Sequence, residues 1–324
     1  MRHIAAAGIF AVLVLHGCGG PGPQGEFAYG TPPANRTLIV PGKPLDEADR
    51  GVGRPASISG TAGCSQGRSA GDLVASVQSP GGARSYRVHV PAGYDASAPA
   101  PLVVNFHGSA KTALEQETYS GLAAVAAREG FILVTPEGSG FPQEWDVVGI
   151  YANAGVDDVL VTRDIVEAMK ATFCIDPLRV YAAGLSNGAE MASQVGCYLP
   201  DVFAAVAAVA GVVYQGCDGR PVAVIAFHGT DDYNVPFDTA QPAMAEWASH
   251  NGCSAEQERV AVTGHVSRES YRGCDGADVV LYVIEGGGHT WPDAEDYAGG
   301  AGPTTHEINA SDLIWEFFAK HPMP

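Results

Sequence analysis

The chain has 324 residues, enough for one large domain with a well-buried core or for two smaller ones. Apolar residues make up 46% and charged residues 17%, a globular balance that excludes a disordered chain. With 36 acidic residues against 18 basic ones, the net charge of −18 repels phosphate backbones and excludes nucleic acid as a ready partner; its ordinary meaning is a solvated, soluble surface.

The amino terminus reads as an export signal, residues 1–17. Arg2 supplies a positive start, and Ile4 to Leu15 is an apolar run of 12 residues, short for an ordinary membrane-spanning helix. Leu15-His16-Gly17-Cys18 resembles a bacterial lipobox, with cleavage before Cys18 and lipid on its thiol. His16 occupies a slot that normally holds a small residue, so a plain signal peptide cut nearby is the alternative. The chain is therefore expected outside the cytoplasm, as a cell-surface or periplasmic lipoprotein or as a secreted protein, touching a membrane only through the lipid. Residues 18–60 are rich in Gly, Pro and Ala without periodicity and read as a tether. Residues 61–324 read as a single globular domain, expected to act as a monomer.

Within that domain apolar, β-rich runs alternate with Ala-rich helical ones. Arg84 to Val90 reads as an alternating strand, Leu102 to Phe106 as a buried strand, Leu114 to Arg128 as a helix and Phe131 to Thr135 as a strand stopped by Pro136. Val156 to Phe173 reads as a long amphipathic helix, in which Asp157 and Asp158 cap the start and complement the dipole. Arg179 to Ala183 is a strand and Ser186 to Tyr198 a helix; Ala204 to Ala210, Val222 to Phe227 and Val279 to Ile284 are further strands, and Asp312 to Phe318 a closing helix. This alternation predicts an α/β fold, a mostly parallel sheet with helices on both faces, whose functional groups gather at the carboxyl ends of the strands.

Gly184-Leu185-Ser186-Asn187-Gly188 is a G-x-S-x-G sequence between a predicted strand and a predicted helix, the setting of a nucleophile elbow in the α/β-hydrolase fold. The pattern alone is weak in a chain with 41 glycines; the strand before it and the helix after it make it specific. A serine nucleophile needs a base, and the base an orienting carboxylate, in chain order Ser, acid, His. His289 is the best base, because it follows the last strand and Gly286-Gly287-Gly288. His228 ends a strand but precedes the acid, and packing or hydrogen bonding suits it; His250, His265 and His306 stand in polar stretches. The acid is Asp231 or Asp232, just after the strand Val222 to Phe227. Two backbone N–H groups should form the oxyanion hole: Asn187, after the nucleophile, and Ser109, in the loop His107-Gly108-Ser109. Trp145 and Trp291 are candidate pocket walls for an aromatic ring or a sugar face, with burial in the core as the alternative. No Cys or His spacing suggests zinc, so neither metal nor cofactor is expected.

Taken in order, further residues resemble a known family. They are Arg84-Ser85-Tyr86, Pro101 to Val104 leading to Phe106-His107-Gly108, Val156-Asp157-Asp158-Val159, Arg179-Val180-Tyr181 leading to the elbow and Met191-Ala192, His228-Gly229-Thr230 with Asp232, Gly287 to Pro292, Ile308-Asn309-Ala310 and Trp315 to Phe318. From Cys64 to His321 the chain resembles the polyhydroxybutyrate depolymerase-like and feruloyl esterase-like serine esterases of the carbohydrate esterase family 1 lineage. The resemblance implies exported enzymes without a metal cofactor that hydrolyse esters, here through Ser186, Asp232 and His289; the H-G-x-x-D spacing of the family selects Asp232. Asp293 departs from the Gly that often follows Trp-Pro in relatives.

Setting Cys18 aside for lipid leaves six cysteines, an even number that predicts three disulfides in an exported chain. The resemblance implies Cys253–Cys274. A helix running back from Ser186 suggests Cys174–Cys197, which leaves Cys64–Cys217. The expected substrates are feruloyl or acetyl esters of plant polysaccharide, with polyhydroxyalkanoate as the alternative. A peptidase or acyltransferase on the same fold is a further alternative, and a non-catalytic surface binding protein is the alternative of another class.

Overall fold

The computed structural model describes residues 61–66, 68–79, 82–147, 157–295 and 301–324. The expected leader, the tether and Cys18 lie outside the described residues.

Among the described residues ten strands form one sheet: β1 (Gly71–Ser79), β2 (Gly82–Val90), β3 (Ala100–Phe106), β4 (Ile132–Pro136), β5 (Ile175–Leu185), β6 (Ala205–Val209), β7 (Ala223–Gly229), β8 (Gln257–Ala261), β9 (Val266–Tyr271) and β10 (Val279–Ile284). The described residues also form the helices α1 (Ala113–Ser120), α2 (Leu122–Glu129), α3 (Asp158–Thr172), α4 (Asn187–Tyr198), α5 (Ala240–His250) and α6 (Ala310–Lys320). The spatial order is β1-β2-β4-β3-β5-β6-β7-β10-β9-β8. From β4 across to β10 every neighbouring pair is parallel, while β1 and β2 at one edge and β9 and β8 at the other are antiparallel.

The alternation within β3 shows why these runs become central strands. Leu102, Val104 and Phe106 enter one core with residues of α3, α4 and α5, such as Ile165, Val195 and Trp247. Val103 enters a second core with Leu122 and Val125 of α2 and Ile314 and Phe318 of α6. Successive side chains of a strand face opposite sides of the sheet, so a run that is buried at every position needs helices on both faces. Tyr181 of β5 stacks on Phe318 of α6 at 4.6 Å, fixing the closing helix to the sheet. The α/β-hydrolase architecture expected from the alternation is therefore present.

The differences from expectation have local causes. The helix expected over 114–128 is two helices, separated by Gly121 at φ 66, a left-handed value that ends the first helix. The strand expected over 179–183 is longer, Ile175–Leu185. No element was expected at β1 or β8. Both are mostly exposed edge strands, so burial does not impose an apolar alternation on them.

Among the described residues three disulfides are present, and one has the expected pairing, Cys253–Cys274. The other two correct the expectation: Cys64 pairs with Cys174, and Cys197 with Cys217. The pairings Cys174–Cys197 and Cys64–Cys217 fail because of where the chain enters the sheet. Thr61 donates its hydroxyl to the Phe173 carbonyl and accepts from the Ile175 amide, which docks the short 3-10 turn Ala62–Ser65 beside Cys174. The end of α4 lies instead over β6, where a side chain at Gly196 would press on Val206. There Cys197 meets the segment that follows β6, which carries Cys217.

Candidate active site

Ser186 stands between β5 and α4 with φ 56 and ψ −126, a strained combination for a residue with a side chain. The surrounding glycines explain how it is tolerated. A Cβ at Gly184 would collide with the Gly188 carbonyl, one at Gly188 with the carbonyls of Phe106 and His107, and one at Gly211 with the Ser186 carbonyl. The Ser186 amide donates to Val209 O of β6 at 2.9 Å, anchoring the turn to the sheet. A Cβ at Gly108 would sit 3.4 Å from the Ser186 Cβ, so the loop after β3 lies directly against the serine. Asn187 begins α4, and the first N–H groups of a helix have no partner within it, which leaves its amide to point toward the turn.

Asp232 and His289 come from the ends of β7 and β10. These strands are parallel neighbours, with Gly229 opposite Ile284. A side chain at Gly229 would strike the Gly287 carbonyl, so the two loops touch only because both residues are glycine. The His289 amide donates to Ala301 O at 2.6 Å, and His289 Nδ1 lies 2.8 Å from Asp232 Oδ2. The other carboxylate oxygen, Oδ1, accepts from the Asn234 and Val235 amides, both at 2.9 Å. His228 Nε2 donates to Val235 O at 2.8 Å and lies 3.4 Å from Asp232 Oδ2. Burial pushes the Asp232 carboxyl up, but hydrogen bonds from His228, His289 and Val235 outweigh it and hold the group far below the usual carboxylate range. Asp231, the other candidate acid, is exposed, and its amide bonds to Gly287 O. His250, His265, His306 and His321 find partners elsewhere, at Arg220 O, Glu307, Asp293 and Asp278.

The structure gives different places to the two tryptophans expected as pocket walls. Trp145 and Trp291 are each 1% exposed. Trp291 donates its indole N–H to Ser311 Oγ at 3.0 Å within the α6 core, and Trp145 donates to His107 O at 2.7 Å beneath the β3 loop. Neither ring is open to a ligand; both are buried structural residues, which corrects that expectation. Phe141, in the segment that carries Trp145, is exposed, as is Tyr233 beside Asp232 in the sequence. Asp293 explains its departure from glycine. It has φ 69, the left-handed conformation that glycine favours, and its side chain secures the turn by accepting from Asn309 Nδ2 at 2.7 Å.

Three buried groups carry weaker sequence signals. His107 accepts from the Gly138 amide at Nε2 and faces Gly108 O through Nδ1, at 2.8 Å each. Burial pushes this imidazole down to about 4, keeping it neutral and its Nε2 an acceptor. Asp158, expected as a capping residue, is buried and paired with Arg84 at 2.8 Å, while Asp157 does the capping through the Val159 and Leu160 amides. Glu190 is buried in the first turn of α4, where its Oε2 accepts from Asn187 Nδ2 at 3.3 Å. Burial pushes its carboxyl up to about 7, against the Asn187 hydrogen bond and with the Glu144 charge adding. The i, i+3 spacing of Asn187 and Glu190 was the available signal for this contact. Among the described residues no group of three or more His, Cys, Asp and Glu could hold a metal ion.

Residues 84–229, which span β2 to β7 and the Ser186 turn, match the family model described as Esterase PHB depolymerase. Feruloyl esterase B of Piromyces equi is 33% identical over 65% of this chain, which spans 44% of that enzyme's length. Probable feruloyl esterase C of Aspergillus terreus is 31% identical over 72% of this chain and 83% of its own. Poly(3-hydroxyalkanoate) depolymerase C of Paucimonas lemoignei is 29% identical over 74% of this chain and 67% of its own. Among solved structures, acetyl xylan esterase from Aspergillus awamori superposes with a TM-score of 0.61 at 17% identity, covering 76% of this chain and 99% of its own, a likeness of fold. With a relative above 30% identity matched over most of its length and a family match that contains the Ser186 turn, the chain belongs to the esterase PHB depolymerase family and is a carboxylic ester hydrolase.

Proposed function

We propose that the protein is an exported serine esterase that works through an acyl-enzyme, with Ser186 as nucleophile, His289 as base and Asp232 as the orienting acid. The observation that carries this reading is the 2.8 Å contact between His289 Nδ1 and a buried, doubly amide-bonded Asp232. An ionised carboxylate at Nδ1 holds the proton there and leaves Nε2 basic, the tautomer a serine needs. His289 takes the Ser186 proton as the hydroxyl oxygen attacks the ester carbonyl. The Asn187 and Ser109 amides receive the oxyanion, and the alcohol leaves with the proton from His289. Water, deprotonated by His289, then releases the acid and restores Ser186.

The proposed substrates are feruloyl or acetyl esters of plant polysaccharide, a reading supported by the feruloyl esterases of Piromyces equi and Aspergillus terreus. Polyhydroxyalkanoate is the second reading, favoured by the similarity to the Paucimonas lemoignei depolymerase. Export is supported by the three disulfides, which persist in oxidising compartments; a lipid on Cys18 would tether the enzyme there. Methyl ferulate, acetylated xylan and hydroxybutyrate oligomers assayed side by side test the substrate. The first two should turn over at least tenfold faster, by kcat/KM, than the oligomers; the reverse order replaces this reading with the second.

A further inference from the structure

The two proposed oxyanion donors lie on separate elements, Ser109 on the loop after β3 and Asn187 at the start of α4. Their spacing is useful only if those elements cannot drift, since a shift of a fraction of an ångström weakens a hydrogen bond to a developing charge. The segment 137–146 connects them. It is closed on itself by reciprocal amide bonds between Ser139 and Glu144, each 2.9 Å. It holds the loop after β3 at three points. The Gly138 amide donates to His107 Nε2 at 2.8 Å, the Trp145 indole N–H to His107 O at 2.7 Å, and the Ala110 amide to Gln143 O at 2.8 Å. The peptide that carries the Ser109 N–H is thus bracketed by a fixed carbonyl before it and a fixed amide after it.

Trp145 also reaches the other donor. Its backbone N–H donates to Asn187 Oδ1 at 2.7 Å, and its carbonyl accepts from Asn187 Nδ2 at 3.4 Å. Its ring packs edge-on to Phe106 at 5.0 Å, at the end of β3. The adjoining residue is anchored too: the Asp146 amide donates to Asp158 Oδ2 at 2.7 Å, and its carbonyl accepts from Gln194 Nε2 at 2.8 Å. We infer that Trp145 is a positioning residue that ties the two halves of the oxyanion hole together, the indole holding the Ser109 side and the backbone the Asn187 side. It acts without touching substrate, which fits its complete burial. The inference rests on the serine esterase reading above and adds to it the part that sets the geometry of the hole.

The test uses Trp145→Phe, which keeps an aromatic ring but removes the indole N–H, and Asn187→Ala, which removes the backbone tie but keeps the amide donor. With p-nitrophenyl acetate, each should lower kcat by roughly 10- to 100-fold and leave KM within about twofold. Affinity for an alkyl trifluoromethyl ketone, which forms a tetrahedral oxyanion on a serine, should fall by the same factor as kcat/KM. Affinity for a product carboxylic acid should hold. Because the two variants break successive links of a single connection between the donors, the double variant should lose less than the product of the two single losses. Unchanged kcat in either folded variant, or ketone and acid affinities falling together, overturns the inference. Should Trp145→Phe fail to fold, Asn187→Ala decides alone. A wild-type enzyme that neither hydrolyses the ester nor binds the ketone would instead bring down the serine esterase reading itself, a failure visible before any variant is made.

Discussion

Two buried carboxylates of the site, Asp232 and Glu190, behave in opposite ways. Asp232 is 5% exposed and Glu190 3%, so burial alone would push both toward the protonated form. Asp232 is surrounded by donors: two imidazoles and the Asn234 and Val235 amides. It stays ionised. Glu190 has one neutral amide donor, Asn187, and the negative Glu144 nearby, and burial takes it up to about 7. At similar depth, the number and sign of the neighbours decide between the two. On this reading the β7–β10 side of the cleft carries the fixed negative charge that a protonated His289 requires. On the β3–α4 side burial instead favours the protonated form of Glu190, which lessens the fixed negative charge beside the proposed oxyanion hole.

The sharpest way to break this comparison is to neutralise Asp232. Asp232→Asn should lower kcat by roughly 10^3- to 10^4-fold with little change in KM, because His289 loses both its orientation and its counter-charge. A loss below about tenfold would mean that the carboxylate is not the orienting acid. Its ionised form also stabilises the fold, because its folded pKa lies below the unfolded one. That stability is present above about pH 4, the unfolded value, and is lost as the pH falls.

Glu190→Gln probes the opposite case, with a smaller effect read in stability. The folded pKa, near 7, lies above the ordinary 4.5. Between those values the native protein holds a proton that the unfolded chain has released, so stability falls as pH rises through the window. The glutamine should remove this slope. Urea unfolding at pH 5 and pH 8 should show the variant gaining on the wild type by roughly 3 kcal/mol at most across that interval. Parallel pH profiles for the two proteins would show that Glu190 is ionised throughout.

The smallest of these effects belongs to His228. Its 3.4 Å approach to Asp232 Oδ2 is one of several favourable contacts. His228→Gln should therefore lower kcat by about tenfold, well short of the Asp232 loss, because His289 and two amides still hold the carboxylate. A loss as large as that of Asp232→Asn would assign His228 a more direct part in the chemistry.

Much of this was legible in the sequence, for reasons that differ along the chain. The central strands were readable because helices cover both faces of the sheet, so that β3 and its neighbours are largely buried along their length and mostly apolar. The tight turn at Ser186 was readable because only glycine can occupy positions 184 and 188 around it. The exposed edge strands β1 and β8 were not readable, since no core constrains them. Long-range pairings failed for a different reason. The partner of Cys64 depends on how the 3-10 turn docks at Phe173, a contact between segments 112 residues apart in sequence. The tryptophans illustrate the same limit. Composition marked Trp145 as a potential binding surface, but its role depends on which carbonyl its indole N–H meets. The buried state of Asp158 likewise depends on Arg84, a distant residue on β2.

The central claim is that Ser186 is the nucleophile, held ready by the Asp232–His289 pair. The most direct test is the mass of the intact protein after reaction with a fluorophosphonate, followed by peptide mapping, for the wild type and for Ser186→Ala. The expected result is one adduct per wild-type chain on the peptide containing Ser186, complete loss of p-nitrophenyl acetate hydrolysis on labelling, and no adduct in a folded Ser186→Ala. An adduct on another serine, or ester hydrolysis retained in Ser186→Ala, would contradict it.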